Sequence, residues 1–259
     1  MGSSIERQSS QSSVRLLQIL ECLSANYSPM RLQDIAKQVG MTQPTVLRYL
    51  YALEATHYIY QDKETARYGL TWRICRLGEN LNTMVSLRNL AYPFLNHLAT
   101  SMSLGACLVT KRDDECLYLD CIDDPYFSTL QRIGKRAPLH VTGSGKLLLS
   151  QYTDEQLEQY INTKGLTRYT EHTITDPEKL RQELEMIRQQ DFGTDEEECE
   201  MGLRCISCPL RSYTGQIVAA ISVFGSINDM SRQRSQTEIY PALREAAGAI
   251  SLRLGYSPQ

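Results

Sequence analysis

Over the first 55 residues apolar positions recur with helical spacing. In "SSVRLLQILECLSAN" Leu16, Leu17, Leu20 and Leu23 form one stripe, and in "MRLQDIAKQVGM" Leu32, Ile35, Ala36 and Val39 fall at i, i+3, i+4 and i+7. Gly40 closes the second stripe, where a left-handed C-terminal cap favours glycine. Thr42 then stands as the N-cap of a third helix, with Pro44 in its first turn, where no amide donor is missed. On that helix Val46, Leu50 and Leu53 share one face, helped by Leu47, while Thr45, Arg48, Tyr49 and Ala52 share the other. Further on, "YIYQDKETARYGL" predicts two short strands, Tyr58-Ile59-Tyr60 and Ala66-Arg67-Tyr68, around a polar tip.

Two short helices about a glycine-containing turn make a helix-turn-helix, and a following hairpin makes it winged. Such a recognition helix enters the DNA major groove N-terminus first. Thr42, Gln43, Pro44 and Thr45 build its nose, with hydroxyls and an amide able to reach phosphates or base edges. Arg48 and Tyr49 follow on the polar side, Arg48 suited to read guanine or grip the backbone. Lys63 and Arg67 on the wing set positive charge against phosphates, which fixes register and affinity and not sequence preference. The helices alone suit any amphipathic surface; the hairpin behind them points to DNA. His57, just ahead of the hairpin, reads as a turn or packing residue.

From Leu70 to about Met84 the pattern predicts a helix interrupted by Gly78, followed by another in "SLRNLAYPFLNHLATSM". Strands and helices then alternate. "ACLVTKRDDECLYLDCID" reads as a hairpin turning at 112–114, and "LRCISCPLRSYTGQIVAAISVFGS" as a second turning at 213–215. "TDPEKLRQELEMIRQQDFG" reads as a helix with Thr175 as N-cap and Glu178 completing a capping box. "IYPALREAAGAISLRLGY" is a final amphipathic helix. Hairpins with interspersed helices predict an α+β domain rather than a doubly wound parallel sheet.

The chain's 259 residues suffice for two cores. The division expected is a disordered polar lead-in over 1–11, a winged helix-turn-helix over 12–70, a linker helix over 71–86 and a second domain over 87–259. Net charge is −3, which by itself does not suggest a nucleic-acid partner; residues 1–80 hold nine Lys/Arg against seven Asp/Glu, leaving +2 there and −5 elsewhere. No apolar run approaches the roughly 18 residues that span a bilayer, and "MGSSIERQSSQSS" lacks the apolar core of a secretory signal. A cytoplasmic protein is expected, with no membrane partner and with its eight cysteines reduced.

Catalytic and metal signatures fail on inspection. Cys205 and Cys208 have the spacing of half a zinc site, but they fall on a strand, where residues three apart point to opposite faces. Cys116 and Cys121, five apart, fail the same test. "TGSGK" lacks the first glycine and the final Ser/Thr of a phosphate loop, having His140 and Leu147 there. Thr142 stands where a nucleophile elbow needs glycine. The four histidines are scattered, and the acidic run "TDEEECE" reads as a solvated loop. No catalytic residue, metal or cofactor is expected. The alternative, a metabolic enzyme with an accessory DNA-binding domain, requires an acid/base or nucleophile set within 100–256 that is not legible. A binding role fits better: the "VTGSGK" turn offers backbone amides, Cys205 and Ser207 share a strand face, and Ser222 faces them across the hairpin.

Four blocks in order, "LQDIAKQVGMTQPTVLRYLYAL", "RIGKRAPLHVTGSGKLLLS", "YTEHTITDPEKLRQELEMIRQQDFG", and "DEEECEMGLRCISCPL" with "AAISVFGS", make the chain resemble the isocitrate-lyase-regulator (IclR) family of bacterial transcription factors over about residues 12–256. The resemblance implies a winged helix-turn-helix joined by a helix to a GAF-like effector domain. It implies dimers or dimers of dimers on palindromic double-stranded operators near catabolic genes. The family's effector contacts fall here at Gly143, Ser144, Asp195, Cys205 and Ser222. Phe224 stands where some members carry a second serine, which leaves room for an aromatic or bulkier organic acid.

Overall fold

The computed structural model describes residues 2–26, 28–77, 83–122 and 133–257. The chain divides into two compact units, 1–82 and 83–259. Among the described residues no helix is long and apolar enough to cross a membrane.

The first unit is a winged helix-turn-helix. Helix α1 (Gly2–Ser24) takes in residues 2–11, so the expected disordered lead-in is helical backbone. Helices α2 (Leu32–Gln38) and α3 (Gln43–Ala55) pack across a turn at Gly40, whose φ of +65° a side chain would oppose. Ile19 and Leu23 of α1, Ile35 and Ala36 of α2, and Val46, Leu50 and Leu53 of α3 form the core. Leu17, placed on the α1 stripe by its spacing, is exposed instead. Strands β1 (Ile59–Gln61) and β2 (Tyr68–Leu70) pair antiparallel, each shifted from the expected bounds, and Met30 bridges to Tyr68. Asp62 Oδ1 accepts from Glu64 N, Thr65 N and the Thr65 hydroxyl, which shapes the wing tip and lowers the Asp62 carboxyl.

Tyr49 is a correction. The α3 pattern puts it on the polar face, yet it is buried in the core, while Tyr51 is 59 % exposed. A tyrosine ring carries enough apolar surface to be drawn in beside leucines, leaving its hydroxyl at the edge. That hydroxyl accepts from Arg48 Nη2 at 3.5 Å.

Of the expected linker helix, Trp72–Leu77 form a 3₁₀ helix, residues 78–82 lie outside the described residues, and α4 (Thr83–Met102) belongs to the second unit. There a six-stranded antiparallel sheet runs in the order β5-β4-β3-β8-β7-β6, built from β3 (Gly105–Arg112), β4 (Glu115–Ile122), β5 (Arg136–Pro138), β6 (Gly193–Glu196), β7 (Leu203–Arg211) and β8 (Ile217–Ser226). Strand alternation sends Ile206, Cys208, Ile221 and Val223 to one face, covered by α4 and α9 (Tyr240–Arg253). A short helix α8 (Arg232–Arg234) and a π-helical turn lead into α9.

The opposite face carries Cys107, Cys205 and Phe224 beneath α5 (Gly143–Leu149), α6 (Asp154–Lys164) and α7 (Pro177–Gln190). Cys205 and Cys208 thus point to opposite faces, as their spacing requires. Cys116 and Cys121 do not: the pairing of β4 with β3 slips between Leu108 and Val109, and both cysteines pack against the α5 side. Helix α7 is capped by Asp176, whose Oδ1 accepts from Glu178 N and Lys179 N, and not by Thr175; the reciprocal capping box is at Thr153 and Gln156 of α6.

Removing the two tyrosine rings of α3 should have opposite consequences. Tyr49→Ala is expected to lower the stability of the first unit by about 3 kcal/mol or more, and Tyr51→Ala to change it by no more than about 0.5 kcal/mol. Hydrogen exchange of α3 amides in the intact chain reads both; equal effects contradict the burial.

Candidate functional site

Two constellations stand out, one in each unit. On α3, Thr42, Gln43, Pro44 and Arg48 are exposed and Thr45 is half-buried, so the nose of the helix is open to a ligand. Thr42 sits at the N-cap, but its side chain caps no amide; its hydroxyl meets the Thr45 hydroxyl at 2.9 Å. The Arg48 guanidinium lies 5.2 Å from the Tyr49 ring centroid, which steadies the arginine without burying its charge. Tyr49, buried, is not a surface group, and Tyr51 takes its place as the exposed aromatic, one that the polar-face assignment missed. Lys63 is exposed at the wing. Arg67 is half-buried and donates to Pro29 O at 3.3 Å, so part of its hydrogen-bonding capacity holds the α1–α2 loop.

In the second unit α5 lies with its N-terminus on the sheet. The approach is so close that a Cβ on Gly193 would sit 2.4 Å from Gly143 O, and one on Gly143 would sit 2.9 Å from Ser207 Oγ. The Thr142 hydroxyl accepts from Gly145 N and starts the helix. Ser144 is thereby set over the β7–β8 register pair Ser207 and Ser222. Its hydroxyl meets Ser222 Oγ at 2.7 Å and Ser207 Oγ at 3.3 Å, and the two strand serines are 2.7 Å apart. Cys205 Sγ is 3.4 Å from Ser207 Oγ. These hydroxyls are buried and satisfy one another, as polar groups in an apolar sheet must.

Asp195 pairs in register with Cys205, and Cys205 with Phe224. Gly143, Ser144, Asp195, Cys205, Ser222 and Phe224 therefore come together on one sheet face. The Phe224 ring fills the space over Gly105, where a Cβ would come within 2.2 Å of it. Ser144, Ser207 and Ser222 are all buried, so the serine cluster is closed to solvent in this conformation.

The acidic run is not a solvated loop throughout. Glu198 is 6 % exposed and reaches the ammonium of Lys146, which is 1 % exposed and also bound by Glu183 at 3.0 Å. Burial opposes the lysine charge, but Glu198 and Glu183 outweigh it and hold the ammonium above its ordinary value. With that charge shared between two carboxylates, burial pushes the Glu198 carboxyl up. Asp195 Oδ1 accepts from Glu198 N at 2.8 Å and Cys199 N at 3.3 Å; burial first, then the Glu198 charge, raise its carboxyl to about 7. Burial raises the Cys205 thiol to about 12, so it is a neutral lining group and not a thiolate nucleophile. Among the described residues no three His, Cys, Asp or Glu side chains are grouped to hold a metal.

Sequence reasoning placed Ser207 on the right face but did not select it as a contact, and it missed Lys146 and Glu198. Their partners lie 37 and 52 positions away along the chain, and no local pattern announces such pairs.

With both constellations in place, comparison with known proteins decides the family. Residues 12–63 match the family model described as IclR helix-turn-helix domain, and residues 81–252 the one described as bacterial transcriptional regulator IclR C-terminal. The chain belongs to the IclR family of bacterial transcriptional regulators. It is 32 % identical to the transcriptional regulator KdgR of Escherichia coli K12 over 224 residues, covering 86 % of this chain and 85 % of KdgR. The crystal structure of Thermotoga maritima IclR aligns with a TM-score of 0.63 at 26 % identity, over 95 % of this chain and 99 % of that one. The inducer-binding domain of a PobR double mutant from Acinetobacter, solved with 3-hydroxybenzoic acid, aligns with a TM-score of 0.60 at 30 % identity, over 63 % of this chain and 96 % of that one. As an IclR-family member the chain is a DNA-binding transcriptional regulator with a ligand-binding C-terminal domain.

The raised Asp195 carboxyl has a consequence for stability. Its unfolded value is near 3.8 and its folded value near 7, so the folded chain keeps a proton that the unfolded chain releases. Stability therefore falls as pH rises from about 4 to about 7. Asp195→Asn keeps the Oδ1 acceptor without the charge and should flatten this dependence, gaining on the order of a few kcal/mol over the parent at about pH 8. Thermal unfolding of both chains at about pH 5 and about pH 8 checks it. Parallel loss in the two chains contradicts the assignment.

Proposed function

We propose that this IclR-family regulator reads its operator with Thr42, Gln43, Pro44, Thr45 and Arg48 of α3 and grips the backbone with Lys63 and Arg67 of the wing. Tyr49 acts only by fixing α3 from within. The reading is supported by the exposed, polar nose of α3 together with Lys63 exposed on the wing hairpin, in a unit whose α1, α2 and α3 share one apolar core. The chain works in the cytoplasm as a homodimer, or dimer of dimers, on a palindromic operator of catabolic genes. Half-sites about 34 Å apart then present one groove to each recognition helix.

The second unit binds a small organic or aromatic acid among Gly143, Ser144, Asp195, Cys205, Ser207 and Ser222, with Phe224 shaping the wall. The hydroxybenzoic acid bound by the PobR domain supports that class, and the neutral, hydroxyl-lined sheet face supports a recognition role over catalysis. Ligand exchanges the Ser144–Ser207–Ser222 contacts for its own, so it favours an arrangement other than the closed one. Differential affinity for two arrangements is what lets an effector shift DNA binding.

Arg48→Ala is expected to cost about 1–3 kcal/mol of operator discrimination if the guanidinium is bidentate to a base. A phosphate contact gives instead a nearly sequence-independent loss with a shallower salt slope. Gel-shift titrations on promoter and scrambled fragments at several salt concentrations separate the two, and unchanged binding in both removes Arg48 from the interface. Ser222→Ala is expected to weaken the effector's influence on DNA binding while ligand-free binding persists. A full response in that variant contradicts the serine site.

A further inference from the structure

Tyr51 keeps 59 % of its surface in solvent, in a helix whose other tyrosine is buried. It takes no part in the apolar cluster that holds α1, α2 and α3 together, so the fold does not require an aromatic there. Behind Gln43, the exposed residues of α3 are Pro44, Arg48, Tyr51, Ala52 and Ala55. At about 100° per residue, Pro44, Arg48, Tyr51 and Ala55 fall within about 60° of one another. Tyr51 thus continues the stripe that Pro44 and Arg48 begin. The Tyr49 hydroxyl accepts from Arg48, whereas that of Tyr51 makes no hydrogen bond among the described residues.

With α3 entering the groove end first, height on the helix decides what Tyr51 can reach. It stands eight residues behind Gln43, about 12 Å along the axis at about 1.5 Å per residue. The major groove is about 8.5 Å deep, so Tyr51 stays above the base edges, at the level of the phosphates. Burial first, and then the nearness of Tyr51 and Glu54, raises the Tyr68 hydroxyl, which puts Tyr51 within electrostatic reach of β2 of the wing. Glu54 is half-buried, so on this side of α3 the phenol and not the carboxylate leads. A tyrosine hydroxyl at that height is a suitable donor to a phosphate oxygen, and it brings no charge.

We infer that the Tyr51 hydroxyl donates to a phosphate flanking the groove that α3 enters, a contact that adds affinity and register and reads no base. The inference rests on the operator-reading role proposed for α3 and adds to it a residue that contributes neither charge nor core packing.

The test compares the intact chain with Tyr51→Phe and Tyr51→Ala. Each is titrated by fluorescence anisotropy against a fragment from the gene's own upstream region and a random-sequence fragment of equal length, at several salt concentrations. Tyr51→Phe removes the hydroxyl alone and should weaken binding to both fragments by about tenfold. The salt slope should stay unchanged, because a neutral donor displaces no counterion. Tyr51→Ala should lose a similar factor. Melting curves should match the parent's; if Tyr51→Ala melts early, Tyr51→Phe decides alone. Parent-like binding by Tyr51→Phe overturns the inference. So does a loss confined to the upstream fragment, which marks a base contact, or a shallower slope, which marks a lost charge. A parent chain that binds neither fragment removes the DNA reading of α3 itself, and this contact with it.

Discussion

Burying the ammonium of Lys146 is the constraint around which the effector unit is arranged. An unpaired charge at 1 % exposure is not sustainable, so α5 is fastened to α7 through Glu183 and to the β6–β7 turn through Glu198. That fastening seats Gly143 on Gly193 and Ser144 on the strand serines. An apolar replacement of the cluster would hold the same elements together, as buried ion pairs are seldom the most stabilising choice. What the ionic version adds is chemistry: fixed carboxyls and hydroxyls next to a sheet face that is otherwise closed with apolar groups and thiols.

The two units solve different problems with different materials. The first buries a small core and spends its polar residues on the exposed end of one helix, where backbone amides and the helix dipole favour phosphate. The second buries polar groups against one another, the hydroxyls of Ser144, Ser207 and Ser222 and the Lys146 ammonium with Glu183 and Glu198. An exposed helix end with polar side chains and an arginine suits a large polyanion. A face that is enclosed and lined with hydroxyls suits a small molecule. The same contrast explains why the net charge of −3 is no obstacle to DNA binding: the acidic excess lies in the unit that has no DNA to meet.

Much of this was legible in the residues. The α2–turn–α3 segment follows from helical period, a glycine at positive φ and a proline in the first turn, all local signals. The strand pair at 203–226 follows from alternation, and so does the opposition of Cys205 to Cys208. The failures are where local rules tie or are silent. Thr175 and Asp176 both suit an N-cap, and the structure uses Asp176. Tyr49 reads as polar by its hydroxyl and packs by its ring. The slip between β3 and β4 turns Cys121 to the Cys116 side, and no spacing rule reveals an irregularity in the ladder. Glu198 sits in a run of like charge that looks solvated until its lysine, 52 positions away in sequence, is brought beside it.

If the nose of α3 is shaped to read a particular duplex, the chain must prefer that duplex over random DNA. Fluorescence anisotropy of a labelled fragment from the gene's own upstream region, competed at physiological salt with unlabelled random-sequence DNA, tests it most directly. The upstream fragment should be preferred by about a thousandfold or more. A folded chain that binds both DNAs equally, or neither, contradicts it.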